Sequence, residues 1–405
     1  MNILFLHYFF KEDGITRSVL NNVSGLKELS ENINFILAGD NFVSSIPSDI
    51  EKRYIDWGAQ DLVSQIQEVS KDADIIIIEN PTIGMFPKAT LAFKEFSESN
   101  HNKKIIYRLH DFIDDRPHLF EEFKKVFNNF EEIYPTSSNV SFLTLTSFDK
   151  KRLIKKGLNN VNILPNSLVA YDFCINPEKS FNLRKIFETS GIINPDEKIL
   201  TYPVRVLKRK NIEEAMLLTK ILNEAGENYR LIVTVPLDED YKKEIEILAE
   251  DYKIQCSIGK VSKYISFDKK DRYTIADLYS ISDLVISTSI KEGFGFAFIE
   301  PWLTGTAVIG RKVSHITEDF EDNGIDLSHL YGNDIIPNSD NPSERMKNVK
   351  RILSNPEEFQ KTSKKLDIKN RIQKASNVIG KNEKAIKKCY NHINIAKQLL
   401  SNIKS

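Results

Sequence analysis

The chain contains few cysteines and shows no excess of either charge. Its 405 residues include only Cys174, Cys256 and Cys389, which stand far apart, without a CxxC motif or a histidine at metal-ligand spacing. The sequence therefore predicts neither a disulfide framework nor a zinc site, and it favours a reducing, cytoplasmic setting. The formal net charge is -1, with lysines spread among acids. Nucleic-acid binding is disfavoured on that ground.

Long hydrophobic runs are also missing. The apolar start, residues 3–10, lacks a basic leading region and meets the charged residues 11–13 too soon for a signal peptide. No segment approaches the ~20 apolar residues of a membrane-spanning helix. The lysine-rich stretches 150–152 and 155–156 could touch anionic lipid, so a peripheral membrane contact stays open. A solvated helix face is the preferred interpretation of both stretches.

What is present indicates a two-domain α/β protein. The length exceeds the roughly 250–300 residues at which one core stops growing, and hydrophobic residues make up 41% of the chain. Short apolar runs alternate with helical patterns, which predicts parallel βαβ units. The predicted strands begin at Asn2, Ile33, Asp74, Lys104, Val140, Lys198, Tyr229, Asp283 and Ala307.

The boundary between the two halves is predicted from a loss of strand character. Residues 170–195 lack apolar runs of strand type and contain Pro177 and Pro195. The sequence then predicts four segments: a first domain over 1–170, a linker over 171–195, a second domain over 196–375, and one long lysine-rich helix over 376–405.

Two glutamates flank a glycine-spaced turn after an apolar strand. In this stretch, KEGFGFAFIE over residues 291–300, the Gly293-Phe294-Gly295 turn lets backbone N–H groups approach phosphate oxygens. A helix starting directly after the turn would aim its positive end at the same anion. Glu292 can accept hydrogen bonds from sugar hydroxyls, and Glu300 can reach a ribose diol. A strand-to-helix turn with two solvated acids explains the same pattern in isolation.

A second feature places cations beyond another apolar strand. Arg205 follows the strand, and Lys210 comes after four intervening residues. The next helix could be opened by Asn211 and Glu214 as a capping-box-like pair. Arg205 could clamp a phosphate and Lys210 could add a point charge, which a departing diphosphate requires. The neighbouring cations 208–209 are interpreted as solvated loop charges.

Together these motifs resemble those of the retaining, GT-B-fold nucleotide-sugar glycosyltransferases called family 4, or glycosyl transferases group 1. In that family a Glu-x7-Glu element and an Arg-x4-Lys pair bind the donor, and Glu292/Glu300 with Arg205/Lys210 meet both spacings. Residues 277–310 look like the donor-site block of the family in order and spacing.

The resemblance has departures in its turns. Residues 163–169 look like the segment that closes the N-terminal domain, but Ser167 stands where a glycine is usual. Asn211 likewise replaces a common glycine. These changes concern turn geometry more than chemistry.

The resemblance implies an α/β protein with the GT-B fold, two Rossmann-like domains facing across a cleft, with the terminal helix crossing back to the first. It implies metal-independent, cofactor-free transfer of a hexosyl group from a nucleoside-diphosphate sugar to a hydroxyl of a glycan or small metabolite, with retention. UDP-sugar is slightly favoured and GDP-mannose stays possible. Arg205, Lys210, Glu292 and His110 would be catalytic.

The N-terminal half is expected to bind the acceptor. An apolar strand delivers His110 and Asp111 to the carboxyl edge of the predicted sheet, the usual ligand side. The resemblance places such a histidine beside the transferred sugar. Arg108 and Arg116 could meet an acidic acceptor, although strand alternation could equally bury or solvate Arg108.

Two further loops are donor or acceptor candidates. By resemblance, Gly14 and Thr16 belong to a flexible loop near the donor phosphates and acceptor; a plain turn with Thr16 as N-cap explains them almost as well. The base is expected to contact backbone near Lys260. Asp238-Glu239-Asp240 looks like a metal-binding Asp-x-Asp, but an acidic helix start is preferred.

Two other functions stay open. A phosphorylase of the same fold would share the anion site without needing a nucleotide pocket. A non-catalytic partner of another glycosyltransferase would retain the fold alone. The oligomeric state is not indicated by any pattern in the chain.

Overall fold

A computed structural model describes residues 1–266 and 272–404. It divides into an N-terminal unit, Met1–Val169 with Cys389–Ser405, and a C-terminal unit, Ala170–Lys388. The strands are β1 (Asn2–Phe9), β2 (Asn34–Asp40), β3 (Glu51–Tyr54), β4 (Ile75–Glu79), β5 (Lys104–Leu109), β6 (Val140–Thr144), β7 (Val161–Ile163), β8 (Lys198–Arg205), β9 (Tyr229–Val235), β10 (Cys256–Ile258), β11 (Leu284–Ser287) and β12 (Val308–Gly310).

The helices surround these strands. They are α1 (Gly14–Leu29), α2 (Leu62–Ser70), α3 (Pro87–Ser99), α4 (Phe120–Phe123), α5 (Ser147–Lys155), α6 (Pro177–Thr189), α7 (Ile212–Glu224), α8 (Glu239–Asp251), α9 (Ile275–Ser280), α10 (Ser314–Asp322), α11 (Pro342–Ser354), α12 (Pro356–Leu366), α13 (Ile368–Asn377), α14 (Ile379–Cys389) and α15 (His392–Lys404). Among the described residues, no helix is both long and apolar enough to cross a membrane.

The N-terminal unit is built on a seven-stranded parallel sheet in the order β3-β2-β1-β4-β5-β6-β7. Its central strands are buried on both faces: Leu4 and Ile76 belong to one hydrophobic cluster, and Ile3 and Ile77 to the other. A strand covered by helices on both sides gains from apolar residues at every position, which explains the uninterrupted isoleucine run of β4.

The last helix, α15, packs against α1 within the N-terminal unit. A Cβ on Gly25 would lie 2.5 Å from the carbonyl oxygen of His392, so the close approach of the two helices requires glycine there. The prediction of one helix over 376–405 is wrong, because helix α14 ends at Cys389 and a separate helix, α15, begins at His392. There the carbonyl of Tyr390 accepts from the Leu168 N–H (2.7 Å), and the His392 N–H donates to the Leu168 carbonyl (3.0 Å). These backbone groups pair with another segment instead of continuing the helix.

The C-terminal unit has a five-stranded parallel sheet in the order β10-β9-β8-β11-β12. The predicted linker 171–195 is not an extended connection, because it contains α6, whose Leu183 and Phe187 are buried in the core of this unit. Helix α6 packs against α9. Its two core residues are four positions apart, which places them on one helix face.

The predicted α/β class is confirmed, and each predicted strand starts within one residue of an observed one. The sequence analysis missed β3, β7 and β10, which have only four, three and three residues. Such short strands carry too few side chains to display a period, and β3 (EKRY) contains no aliphatic residue.

Candidate functional site

In the C-terminal unit, the loop after β8 meets the loop after β11. The Lys210 ammonium donates to Glu292 Oε1, and the Ser289 hydroxyl donates to the same oxygen (2.5 Å). Arg209 Nη1 lies 3.5 Å from Glu292 Oε2. The Lys210 and Glu292 side chains are nearly enclosed, with 9% and 10% of their surface exposed. The structure therefore brings together two of the predicted site residues and adds Arg209, which had been interpreted as a solvated loop cation.

This environment favours an ionised Glu292. Burial alone would raise its pKa, because water no longer solvates the carboxylate. The charges of Lys210 and Arg209, with hydrogen bonds from Lys210 and Ser289, outweigh burial and hold the pKa of Glu292 below its ordinary value. The carboxylate and the two cations thus form a charged cluster at the sheet edge.

Backbone contacts fix the loop that carries Lys210. The Ile290 N–H donates to the Arg209 carbonyl (3.0 Å), which joins the two loops directly. The Tyr202 hydroxyl donates to the Lys210 carbonyl (2.6 Å), and the Thr288 hydroxyl donates to the Asn211 carbonyl (2.8 Å). Since Tyr202 and Thr288 are buried, the lysine is held on a preorganised backbone.

The expectation of a capping box at Asn211 is wrong. Asn211 adopts the left-handed conformation (φ 53°) and its side chain does not cap α7. Instead its amide Nδ2 donates to Glu214 Oε2 (2.8 Å) and to the Thr288 carbonyl (3.2 Å). Glu214 in turn accepts from Arg311 Nη2 (2.6 Å). Asparagine tolerates this conformation better than most residues, so it can occupy a position where glycine is otherwise favoured.

The expected helix after the glycine turn is also absent. Gly295 has φ 86°, and a Cβ there would lie 2.5 Å from Ile316 Cδ1, so the turn does require glycine. It leads only into a three-residue 3₁₀ turn, Phe296–Phe298. The Phe294 side chain is buried, with its ring 5.5 Å from that of Phe320. A helix dipole is therefore not a feature of this turn, and Phe294 contributes packing.

The other predicted donor residues lie in different surroundings. Glu300 is buried and accepts from the Tyr279 hydroxyl (3.0 Å). Arg205, at the end of β8, is exposed, and it forms no side-chain hydrogen bond or ion pair with any residue that the structure describes. Lys260 is exposed just beyond β10. The structure thus leaves the Arg205 and Lys260 charges accessible.

In the N-terminal unit, His110 follows β5 and is buried. Its Nε2 lies 2.5 Å from Oε2 of Glu79, the last residue of β4. Arg108 Nη1 lies 3.5 Å from Glu79 Oε1. The Asn80 side chain accepts from the backbone N–H groups of His110 (3.2 Å) and Asp111 (3.0 Å). The ring and the backbone of His110 are therefore both held.

The prediction that Arg108 could meet an acidic acceptor is wrong, because its side chain is fully buried. Its guanidinium donates to the Asn166 side chain (2.9 Å), which also accepts from the Ser18 hydroxyl (2.7 Å). Burial lowers the pKa of Arg108, and the charge of Glu79 opposes that effect. Arg108 is therefore an internal counterion.

Nearby, the predicted acceptor residues Asp111 and Arg116 pair with each other (2.5 Å) and are partly exposed. Gly14 is exposed at the first position of α1. The N-cap of this helix is Asp13, not Thr16: the Asp13 carboxylate accepts from the Thr16 N–H (2.9 Å). Thr16 itself is fully buried.

The acidic triplet 238–240 begins a helix. The Asp238 side chain caps α8 by accepting from the Tyr241 N–H (3.0 Å), and Glu239 and Asp240 occupy its first turn. Within residues 1–266 and 272–404, no group of three or more histidines, cysteines or acids is arranged to hold a metal ion.

Residues 184–371 match the family model described as glycosyl transferases group 1. This segment includes the Lys210–Glu292 cluster. The chain has the GT-B fold, and this segment, just under half of its length, resembles the group 1 glycosyltransferases. Its fold resembles those of HepE from Anabaena in complex with UDP and glucose (TM-score 0.66, 15% identity, covering 100% of this chain and 99% of that one) and sucrose-phosphate synthase from Thermosynechococcus elongatus (0.66, 13%, 100% and 98%).

Two curated relatives come from Petrotoga mobilis. Mannosylglucosyl-3-phosphoglycerate synthase is 26% identical over 351 residues, covering 79% of this chain and 66% of the relative. Mannosylglucosylglycerate synthase is 24% identical over 275 residues, covering 62% of each. The chain thus spans less than two thirds of the length of either relative.

Sequence reasoning missed several residues of the candidate site. Arg209 and Ser289 contact Glu292, and Tyr279 contacts Glu300, although none stood out by spacing. Glu79 did carry a signal, because it is the only charged residue in an otherwise all-isoleucine strand. An acid there needs a buried partner, and the neighbouring strand supplies Arg108.

Proposed function

We propose that this protein transfers a hexosyl group from a nucleoside-diphosphate sugar to an acceptor hydroxyl with retention of anomeric configuration. The observation that carries the proposal is the partly buried cluster of Lys210, Arg209 and Glu292 at the carboxyl edge of the C-terminal sheet. Its location fits the usual ligand side of an open parallel sheet.

The charges of this cluster suit a diphosphate leaving group. Two cations face one carboxylate, so one positive charge is left uncompensated among these three side chains. Arg205 adds an exposed guanidinium that forms no ion pair within the described chain and can grip two phosphate oxygens. Positive groups held in a partly enclosed site stabilise the charge that develops as the sugar–phosphate bond breaks.

Glu292 serves mainly to orient the sugar. It keeps a low pKa and is ionised at neutral pH, so it is a poor general base but a good acceptor for sugar hydroxyls. The departing diphosphate then takes the proton of the attacking hydroxyl on the same face, which gives retention without a covalent intermediate. The cations neutralise the diphosphate, so the reaction as proposed is independent of metal.

The relatives suggest the substrate classes. HepE is described in complex with UDP and glucose, which favours a UDP-sugar, whereas the names of the Petrotoga synthases contain mannosyl and glucosyl units, which keeps GDP-mannose in view. Both names also contain a glycerate. A small, negatively charged glycerate derivative is therefore the acceptor to test first.

The test is a thermal shift across UDP-, GDP- and ADP-sugars and the free nucleotides. We expect one nucleotide family to stabilise the protein, and Lys210→Ala to lose that stabilisation. Lys208→Ala is the matched control, because Lys208 is an exposed lysine of the same loop that lies 4.0 Å from Glu244 and outside the cluster. Turnover is then measured with the nucleotide sugar identified.

The outcomes are distinct. Stabilisation by free phosphate but by no nucleotide would replace the transferase with a phosphorylase. An absence of any shift or turnover with every nucleotide sugar would contradict the proposal. With an active pair of substrates, NMR of the product reads the anomeric configuration directly, and excess chelator tests metal independence.

A further inference from the structure

The Glu79 carboxylate is the group around which the His110 site is built. Glu79 ends β4 with no exposed side-chain surface. A carboxylate removed from water is costly unless charges and hydrogen bonds compensate it. The next strand supplies both: Arg108 is the register partner of Glu79, and His110 lies two positions further along. Side chains two apart in a strand point to the same face, so both reach the same carboxylate.

The two carboxylate oxygens have different partners. Oε1 faces Arg108 Nη1 at 3.5 Å, and Oε2 lies 2.5 Å from Nε2 of His110. The other ring nitrogen, Nδ1, has no hydrogen-bond partner within the described ranges 1–266 and 272–404. Because an ionised carboxylate can only accept, it selects the tautomer in which Nε2 carries the proton. Nδ1 then presents a lone pair.

The surroundings keep Glu79 in its ionised form. Burial opposes ionisation, but the charge of Arg108 and the hydrogen bond with His110 outweigh it and lower the pKa of Glu79. From β1, His7 donates through Nδ1 to the backbone carbonyl of Glu79 (2.9 Å), and burial lowers the pKa of His7. The charge of Asp13 opposes this effect of burial on His7. Because burial is the larger effect, a positive charge on His7, in addition to that of Arg108, is disfavoured.

We infer that Glu79 is the positioning residue of His110: it fixes the ring orientation and the Nε2–H tautomer, so that Nδ1 is the atom offered to substrate. The Asn80 side chain also holds the backbone of His110 by accepting a hydrogen bond from its N–H. A ring held this way accepts a hydrogen bond through Nδ1 from a hydroxyl of the sugar or acceptor. The inference about substrate rests on the proposed glycosyl transfer, whereas the tautomer does not.

The first measurement reads the tautomer without any substrate. Nitrogen-15 NMR distinguishes protonated from unprotonated ring nitrogens, and comparison with His110→Gln assigns the signal of His110. We expect a protonated Nε2 in the wild-type protein at neutral pH, and a mixed or Nδ1-protonated ring in Glu79→Met, which has no oxygen to accept from Nε2–H. A protonated Nδ1 in the wild type, or an unchanged tautomer in Glu79→Met, would overturn the inference.

The second measurement separates positioning from stability. Glu79→Met leaves Arg108 without a buried counterion, whereas the double variant Glu79→Met/Arg108→Met removes both charges and can recover the melting temperature. If Glu79 only supports the fold, turnover recovers with stability. If it positions His110, kcat stays reduced at least tenfold in the double variant while KM for the donor changes less than threefold.

These readouts also distinguish the inference from the proposed function. If no nucleotide sugar is turned over but the tautomer changes in Glu79→Met, the proposed transfer fails while the positioning of His110 stands. If donor binding and turnover are found but the double variant recovers full activity, the positioning role fails alone. His118→Gln, at an exposed histidine of the same unit, is the control for both experiments.

Discussion

Each unit places a carboxylate with little or no exposed surface at the carboxyl edge of a parallel sheet, but the two carboxylates differ in what surrounds them. Glu79 has no exposed side-chain surface, and its partners Arg108 and His110 come from one neighbouring strand. The Glu292 side chain is 10% exposed, and its partners come from a loop, with Arg209 itself 37% exposed. One cluster is sealed and the other is open.

This difference separates two ways in which a carboxylate can serve a site. The Glu79 side chain has no exposed surface, so it can act on a ligand only through the ring of His110. The open cluster can exchange part of its internal pairing for contacts with a ligand, because Arg209 already faces solvent, as does Arg205 at the end of β8. Stability should therefore depend most on the sealed cluster, and turnover on the open one.

The largest expected effect on stability is at the sealed cluster. Glu79→Gln should lower the free energy of unfolding by about 3–5 kcal/mol, because it leaves the Arg108 charge buried and unpaired. Glu292→Gln should cost less, since solvent screens Arg209. Chemical denaturation of both variants at neutral pH measures the difference, and an equal cost would remove the distinction between sealed and open clusters.

The two carboxylates, Glu79 and Glu292, also predict the direction in which stability changes with pH. The pKa values of Glu79 and Glu292 are both lower in the folded chain than the ordinary value of 4.5. Each therefore adds stability that is fully present above pH 4.5 and is lost as the pH falls through the folded pKa. Glu79→Gln should flatten the acid limb of the stability curve. A limb as steep as that of the wild type would assign the acid sensitivity to other groups.

Next in size is the effect on turnover at the open cluster. Lys210→Ala and Arg205→Ala should each raise the barrier by about 2.7–4 kcal/mol, or roughly 100–1000-fold in kcat, if each cation stabilises the departing diphosphate. Arg205→Ala is the cleaner test, because Arg205 is exposed and its loss should leave the melting temperature unchanged. Unchanged turnover in both variants would contradict their assignment; Lys208→Ala should retain full turnover.

The open cluster was the easier one to predict. Lys210 and Glu292 belong to motifs with fixed spacing inside one βα unit each, so sequence alone could name them, and parallel-sheet topology predicts that such strand ends converge. The roles of Arg209 and Ser289 could not be predicted, because loop cations and hydroxyls are common and only the folded loops decide which ones reach the carboxylate.

The sealed cluster was predicted only in part. His110 was found from its place at a strand end, but Glu79 lies 31 residues earlier, and the pairing between them depends on the register of two strands. Strand period did not decide whether Arg108 is buried, since a strand covered on both faces hides every side chain. The missing information was long-range register, which one sequence does not specify.

The smallest expected effect concerns the turn that carries Lys210. Asn211→Gly keeps the left-handed conformation without strain but loses two buried hydrogen bonds, so a net cost of about 1 kcal/mol is expected. Asn211→Ala loses the same bonds and also places a Cβ at φ 53°, which should cost roughly 1–2 kcal/mol more. Both variants lack the side-chain amide, so the difference between their free energies of unfolding measures the cost of placing a Cβ in the left-handed conformation. If Asn211→Ala were no less stable than Asn211→Gly, the turn would require the hydrogen bonds of the Asn211 side chain and not its left-handed backbone conformation. Glycine would then be a destabilising replacement for asparagine at this position.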